Sequence, residues 1–156
     1  MDLILKKINK GFYQILNKSK NGSTNLLKYE LKNVNIPFGL EQYKGKYLIN
    51  FELTYNNNKE FLDIVNNIEE NILKDLFKKR NLKKLIKENN NKKICKGNIK
   101  KNKNKILTKF FNNNRELSIF EFKSKNIKVD LSIEISGFWV YKDNYGLFIN
   151  ITQIII

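Results

Sequence analysis

The spacing of hydrophobic residues changes along the chain and divides it into three parts. In the first part, Leu27, Tyr29 and Leu31 alternate with charged residues, and apolar residues again occupy every second position from 47 to 55. A period of two is typical of half-buried antiparallel strands. A weaker strand is predicted over residues 11–16.

The middle part has the period of an amphipathic helix. Asn57 and Glu60 resemble the capping box that begins a helix. Three asparagines at positions 89–91 would end any extension of this helix through residues 82–86. The apolar stripe, spaced by four, three, four and four positions, consists of Phe61, Val65, Ile68, Ile72 and Leu76.

The third part returns to the period of strands. Alternation is strict from 127 to 136, and Gly137 marks a bulge or bend. Further strands are predicted over residues 117–122, 138–141 and 145–151. The order of strands, one helix, a basic insertion and more strands predicts a mainly β protein with one helix (α+β), an OB-like curved antiparallel sheet or barrel. The length of 156 residues suits one domain, so residues 1–156 are predicted to form a single OB-like domain.

Composition removes most catalytic chemistry. The chain has no His and a single Cys, Cys95, so zinc sites and His-dependent nucleophilic catalysis lack their parts. Asp130 and Glu134 share a strand face but lie about 13 Å apart, too far to hold one metal ion. The lysines beside Cys95 would lower the pKa of its thiol, but no general base accompanies it. We therefore expect no enzyme activity, no metal and no cofactor.

Charge is concentrated in one segment. The formal net charge is +15, and residues 78–105 carry thirteen basic residues against one acid, leaving +3 for the other 128 residues. The 28 Lys, 26 Asn and 21 Ile indicate an A+T-rich gene, which inflates lysine everywhere but does not concentrate it. Residues 78–105 are therefore interpreted as a lysine- and asparagine-rich insertion, a cationic arm or long loop.

Cations beside flat aromatic side chains are typical of single-stranded nucleic-acid binding. Lysine neutralises phosphate without reading base edges, so binding should tolerate any sequence. The candidate phosphate-binding residues are Lys78, Lys79, Arg80, Lys83, Lys84, Lys87, Lys92, Lys93, Lys96, Lys100 and Lys101. The candidate stacking residues are Tyr43, Tyr47, Trp139, Tyr141, Tyr145 and Phe148. In a regular strand Tyr145 and Phe148 point to opposite faces, so these two rings cannot both be buried or both be exposed.

Other interpretations stay open for the same residues. The aromatics suit core packing equally well, and the lysine run suits a solvated insertion or a stretch lying on an acidic membrane surface. A different class of function, a small virion component whose basic arm binds DNA or acidic subunits, would bury the aromatics in subunit contacts. A DNA-binding domain would instead leave them in a concave groove beside the cationic segment.

Two stretches resemble a known family. The first is Ile36-Pro37-Phe38-Gly39-Leu40-Glu41 with the strand that follows. The second runs from Ile133 to Tyr141, including Gly137-Phe138-Trp139, and continues with Tyr145-Gly146-Leu147 and residues 149–154. They are similar to OB-fold single-stranded DNA-binding proteins of nucleocytoplasmic large DNA viruses and some phages. The resemblance implies that fold, a non-enzymatic role protecting unwound DNA in replication, recombination or repair, and Trp139 as a base-stacking residue.

The expected setting follows from the same features. A lone Cys fits an intracellular location, which for a viral protein means the host cytoplasm (a virus factory) or the virion. No stretch approaches eighteen apolar residues, so no membrane partner is expected. Single-stranded nucleic acid, DNA in preference, is the expected partner. An apolar strand edge at residues 149–156 leaves a homo-oligomer open.

Overall fold

A computed structural model describes residues 2–156. The first half contains β1 (Leu3–Asn9), β2 (Phe12–Lys18), β3 (Thr24–Asn25), β4 (Leu27–Ile36), β5 (Leu40–Tyr43) and β6 (Lys46–Leu53), then α1 (Tyr55–Asn67), a π-helical segment (Ile68–Leu73) and α2 (Lys74–Leu76). The second half contains β7 (Asn81–Leu82), β8 (Ile86–Asn89), β9 (Lys92–Ile99), β10 (Lys101–Asn102), β11 (Lys105–Ile106), β12 (Lys109–Asn112), β13 (Arg115–Leu117), β14 (Ile127–Tyr141) and β15 (Asn144–Ile155). The predicted fold class, mainly β with one helical segment, is confirmed.

One curved sheet organises the molecule. Its strands follow the order β1-β2-β14-β15-β9-β6-β5, and β14 also pairs with β4. The strand β14 changes its neighbour at Gly137: β4 pairs with residues before it, and β2 pairs with Gly137, Phe138 and Trp139. The register against β15 shifts at the same place, so Gly137 is the predicted bulge. A Cβ atom there would lie 1.9 Å from the carbonyl oxygen of Tyr13, so the close approach of β2 requires glycine.

The core lies between this sheet and the helical segment. Burial removes apolar surface from water and is the main favourable term in folding. The helical segment contributes most of the predicted stripe, with Phe61, Val65 and Ile68 buried, but the prediction is wrong at Leu76, which is exposed at the end of the segment. Its N-cap is Thr54, whose hydroxyl accepts a hydrogen bond from the backbone of Asn57, and not the predicted pair Asn57 and Glu60.

The basic segment 78–105 is not an arm. It contains β7 to β10 and the start of β11, and β9 lies inside the sheet, paired along β6 and at its end with β15. In β9, Cys95, Gly97 and Ile99 are buried, whereas the alternate residues Lys96 and Asn98 are exposed or partly exposed, as is Lys100 just after the strand. Lys96 is therefore held in a fixed position on the face opposite the core, whereas Lys93 lies on the helix side.

Two further expectations are corrected. The asparagines Asn90 and Asn91 do not end a helix, because the helical segment stops at Leu76. They form the turn between β8 and β9 with φ of 51° and 66°, the left-handed conformation that asparagine tolerates. The strand predicted over residues 117–122 is also wrong, because β13 ends at Leu117 and turns follow it.

Within residues 2–156, no helix combines the length and apolar composition needed to cross a membrane.

Candidate nucleic-acid interface

A groove crosses the sheet on the face opposite the core. It consists of two adjoining clefts of about 520 and 550 Å³. The two clefts share Lys46, Asn98 and Phe148 among their lining residues, so they form one continuous surface from β6 to β2. We call this surface the groove.

The floor of the groove carries aromatic rings. Phe12 and Phe148 lie with ring centroids 4.6 Å apart, and Trp139 lies opposite Phe12 in the pairing of β14 with β2. The Trp139 ring packs over Gly146, where a Cβ atom would lie 3.0 Å from the indole. All three rings are partly exposed. Their open faces can therefore stack on bases or other planar groups.

Lysines surround these rings. Nine of them line the groove: Lys44, Lys46, Lys83, Lys84, Lys87, Lys96, Lys100, Lys101 and Lys103. No carboxylate residue lines it among residues 2–156. Seven of the nine have no carboxylate within 4.0 Å in the described part of the chain, the exceptions being Lys84 and Lys100. The groove is a concentrated positive surface that suits a polyanion.

One ion pair lies beneath the groove. Lys100 donates from its Nζ to Glu134 at 2.7 Å, and Glu134 is 2% exposed. A buried carboxylate needs such a partner. Beside it, Asn150 donates to the hydroxyl of Ser136 at 2.8 Å. The bond to Glu134 fixes the side chain of Lys100, whereas the nearby groove lysines Lys101 and Lys103 can contact a ligand.

A second cleft of about 580 Å³, the helix-side cleft, lies between α1 and the β8–β9 hairpin. It shares Lys84 and Lys87 with the groove. Its lining differs in charge, because Asp63, Glu69 and Glu88 are present. Several cations in and near it are paired: Lys93 with Glu88, Lys92 with Glu52 at 3.5 Å, and Lys74 with Glu70 at 3.2 Å.

The buried carboxylate Glu69 connects the two clefts. Its Oε2 accepts a hydrogen bond of 2.9 Å from the backbone N–H of Leu85, in the segment that carries Lys83, Lys84 and Lys87. Burial raises the pKa of Glu69, and the bond from Leu85 and the charge of Lys84 oppose this rise. Glu69 thus holds the lysine-bearing segment against the helix.

The structure separates the six predicted stacking residues. Trp139, Phe148 and Tyr47 line the groove. Tyr43 and Tyr141 are 63% and 66% exposed and stand at hairpin turns, each with the following lysine over its ring. Tyr145 is 1% exposed and packs on Phe77, so the stacking role predicted for it is wrong. Its ring has no face open to a base.

The predicted cations are divided in the same way. Six line the groove: Lys83, Lys84, Lys87, Lys96, Lys100 and Lys101. Lys92 and Lys93 pair with carboxylates away from it. Lys78 and Lys79 are exposed at the turn after α2. Arg80 lies over the Phe77 ring, 5.8 Å from its centroid.

Sequence reasoning missed four groove residues: Phe12, Lys44, Lys46 and Lys103. Phe12 lies in the weakly predicted first region, and its pairing with Trp139 joins residues far apart in sequence. Lys44 and Lys46 flank Gly45, so a turn carrying two cations was the available signal.

The other correction concerns Cys95, which is fully buried. Burial raises the pKa of its thiol, to which the charge of Glu69 adds, so the expected lowering by nearby lysines does not occur.

Two solved structures with a similar fold come from a phage. The chain is similar to the single-stranded DNA-binding protein from bacteriophage Enc34 with a C-terminal truncation, at a TM-score of 0.58 and 15% identity, over 99% of this chain and 94% of that one. The Enc34 protein in complex with ssDNA gives a TM-score of 0.55 and 14% identity over the same shares. No protein-family model and no curated protein sequence matches the chain. The likeness establishes the OB-like fold predicted from the order of elements.

Proposed function

We propose that this protein binds single-stranded nucleic acid, DNA in preference, without enzymatic activity and with little dependence on sequence. One observation carries the proposal: the groove combines the open rings of Phe12, Trp139 and Phe148 with nine lysines and no lining carboxylate among residues 2–156. Rings that stack bases and cations that follow phosphates are the two requirements for such binding.

The chemistry of the groove supports tolerance of sequence. Its cations are all lysines, which act as point charges and make no bidentate contacts to guanine. Every base offers a flat face to an aromatic ring. Phosphate neutralisation would supply most of the affinity and stacking would hold the unpaired bases.

The similar structures support DNA as the ligand, since one of them is described as a complex with ssDNA. From this likeness and the resemblance of the two sequence stretches to viral proteins, we infer a role in protecting unwound DNA during replication, recombination or repair of a viral genome. The alternative of a virion component is less well supported, because the aromatics line an open groove rather than an apolar contact surface.

The test uses the single tryptophan of the chain. Titration with poly(dT) at low salt should quench Trp139 emission, because the ring would stack on a base. The affinities for labelled single-stranded and duplex DNA should then be compared across a salt series. Single strands should bind more tightly, with log K falling against log salt at a slope of about −0.7 for each phosphate neutralised. Binding without any change in Trp139 emission would contradict the proposed stacking, and equal affinity for duplex would contradict the single-strand preference.

A further inference from the structure

A second basic cleft of about 570 Å³, the hairpin-end cleft, lies where the β1–β2 and β14–β15 turns meet. Four cations line it: Lys7, Lys10, Arg80 and Lys142. All four are exposed. Within residues 2–156 the lining includes no carboxylate, and none of the four cations has one within 4.0 Å. The charge there resembles that of the groove and differs from that of the helix-side cleft.

An open aromatic ring accompanies these cations. Tyr141 is 66% exposed, and Lys142 holds its Nζ 5.3 Å from the ring centroid. On the other side, Arg80 is placed by Phe77, whose ring packs on the buried ring of Phe138. The hairpin-end cleft therefore offers the same two groups as the groove, a ring and cations.

Backbone contacts hold the parts of this cleft together. The N–H of Val140 donates to the carbonyl of Gly11 at 2.9 Å, and the N–H of Asn81 donates to the carbonyl of Asp143 at 2.7 Å. Gly11 has φ of +85°, and a Cβ atom there would lie 2.8 Å from the carbonyl oxygen of Val140. The two hairpin turns and the segment after the helix are thus fixed relative to one another.

The hairpin-end cleft shares no lining residue with the groove, and β14 connects the two. Its Lys7 and Tyr13 lie on the face that carries Phe138, so a nucleic-acid strand reaches this cleft by passing around the end of the β14–β15 hairpin. Trp139, in the groove, and Tyr141, in this cleft, lie two residues apart in β14. They project from the same side of the strand, about 6.6 Å apart along it. Adjacent bases of an unstacked strand can span such a distance.

We propose that the nucleic acid does not leave the protein at Trp139 but continues over the β14–β15 turn, stacks on Tyr141 and places its next phosphates among Lys7, Lys10, Arg80 and Lys142. This inference rests on the proposed function of the groove and extends its binding site. It predicts that the binding path has two segments, the groove and the hairpin-end cleft. Short oligonucleotides should occupy only the groove.

The experiment measures the affinities of a series of labelled dT oligonucleotides of about 4 to 16 nucleotides, the range of site sizes of OB folds. The hairpin-end variant combines Lys10→Gln, Tyr141→Leu and Lys142→Gln. The groove variant is Trp139→Leu. The charge-matched control, Lys20→Gln with Lys125→Gln, removes two exposed lysines that line neither cleft.

The wild-type affinity should rise with length until both segments are filled. The hairpin-end variant should keep the wild-type affinity for the shortest oligonucleotides within twofold, lose at least fivefold for the longest, and reach its plateau at a shorter length. Its salt slope for long oligonucleotides should be smaller by about 1.4, since two phosphate contacts are lost. Unchanged urea midpoints would show that the variants remain folded.

Two results would overturn the inference: no loss at any length, or an equal loss for short and long oligonucleotides. Both differ from failure of the proposed function. That failure would appear as wild-type protein that binds no oligonucleotide, or as a groove variant with wild-type affinity at every length.

Discussion

The groove and the helix-side cleft share Lys84 and Lys87, yet they differ in what accompanies their lysines. In the helix-side cleft, Lys93 meets Glu88, which lowers the pKa of that carboxyl, and Asp63 and Glu69 add negative charge. In the groove, aromatic rings take the place of carboxylates. Of these two clefts, the groove therefore presents net positive charge to a ligand.

This difference shows that the number of lysines does not define a binding surface in this protein. Lysines of the same strand differ in this respect, since β9 places Lys93 in the helix-side cleft, where it pairs with Glu88, and Lys96 in the groove. Exposed ion pairs contribute little to stability, so their main effect is to neutralise cations that would otherwise attract phosphate. Variants that treat the two clefts separately test this view.

The largest effect is expected from removing three groove lysines at once. Lys46→Gln with Lys83→Gln and Lys96→Gln removes three phosphate partners, which should weaken single-strand binding on the order of 100-fold at about 50 mM salt. Fluorescence anisotropy with a labelled dT oligonucleotide measures the loss.

The matched control changes three paired lysines, Lys74, Lys92 and Lys93, to glutamine. It lowers the net charge of the protein by the same amount, but each removed cation has a carboxylate within 4.0 Å. We expect its affinity to stay within threefold of wild type. Equal losses in the two triple variants would mean that total charge, and not the groove, governs binding.

The next effect concerns the rings. Trp139→Leu keeps an apolar side chain over Gly146 but removes the flat face, and stacking contributes roughly 1–3 kcal/mol per base. Single-strand affinity should fall by about 5- to 150-fold, while Tyr55→Leu, at the half-exposed ring of the helix-side cleft, should leave it unchanged. The same oligonucleotide titration measures both variants. A loss at Tyr55 as large as that at Trp139 would remove the distinction between the clefts.

A smaller effect is expected from single lysines of β9. Lys96→Gln should reduce the salt slope of single-strand binding by about 0.7, the share of one phosphate. Lys93→Gln should leave the slope as it is, because Lys93 already pairs with Glu88. Isothermal titration or anisotropy at four or more salt concentrations gives the slopes. A slope that changes equally in both variants would place both lysines on the path.

Much of the fold follows from the hydrophobic pattern, because long strands with a strict period of two and a helix with a period near four carry strong signals. The sequence of β9 carries only a weak signal for a strand. Its buried positions are Cys95, Gly97 and Ile99, of which one is a large apolar residue. Position 97 requires glycine because of a residue distant in sequence: a Cβ atom there would lie 2.7 Å from the Ile151 side chain. Packing between distant strands of this kind is not visible in the local sequence.

The residue types of the site were predictable, but their division between core and groove was not. The opposite phases of Tyr145 and Phe148 were evident, and only the sheet decides that Tyr145 points inward. Likewise, six predicted lysines line the groove and others pair with acids, which depends on where Glu52 and Glu88 lie in the fold. Phe12 joins Trp139 through a pairing of strands at opposite ends of the chain.

The smallest effect tests the carboxylate between the two clefts. Because burial raises the pKa of Glu69, the native state keeps its proton at pH values where the unfolded chain has lost it. The native state then binds more protons, so the free energy of unfolding falls as pH rises from the ordinary glutamate pKa through the raised one. Glu69→Gln keeps an acceptor for the N–H of Leu85 but cannot ionise, so it should lack this decline. Urea unfolding of both proteins from pH 4 to pH 8 measures the difference, and wild type should lose stability relative to the variant as pH rises. A relative gain would mean that the bond from Leu85 and the charge of Lys84 outweigh burial, and that Glu69 belongs with the paired carboxylates of the helix-side cleft.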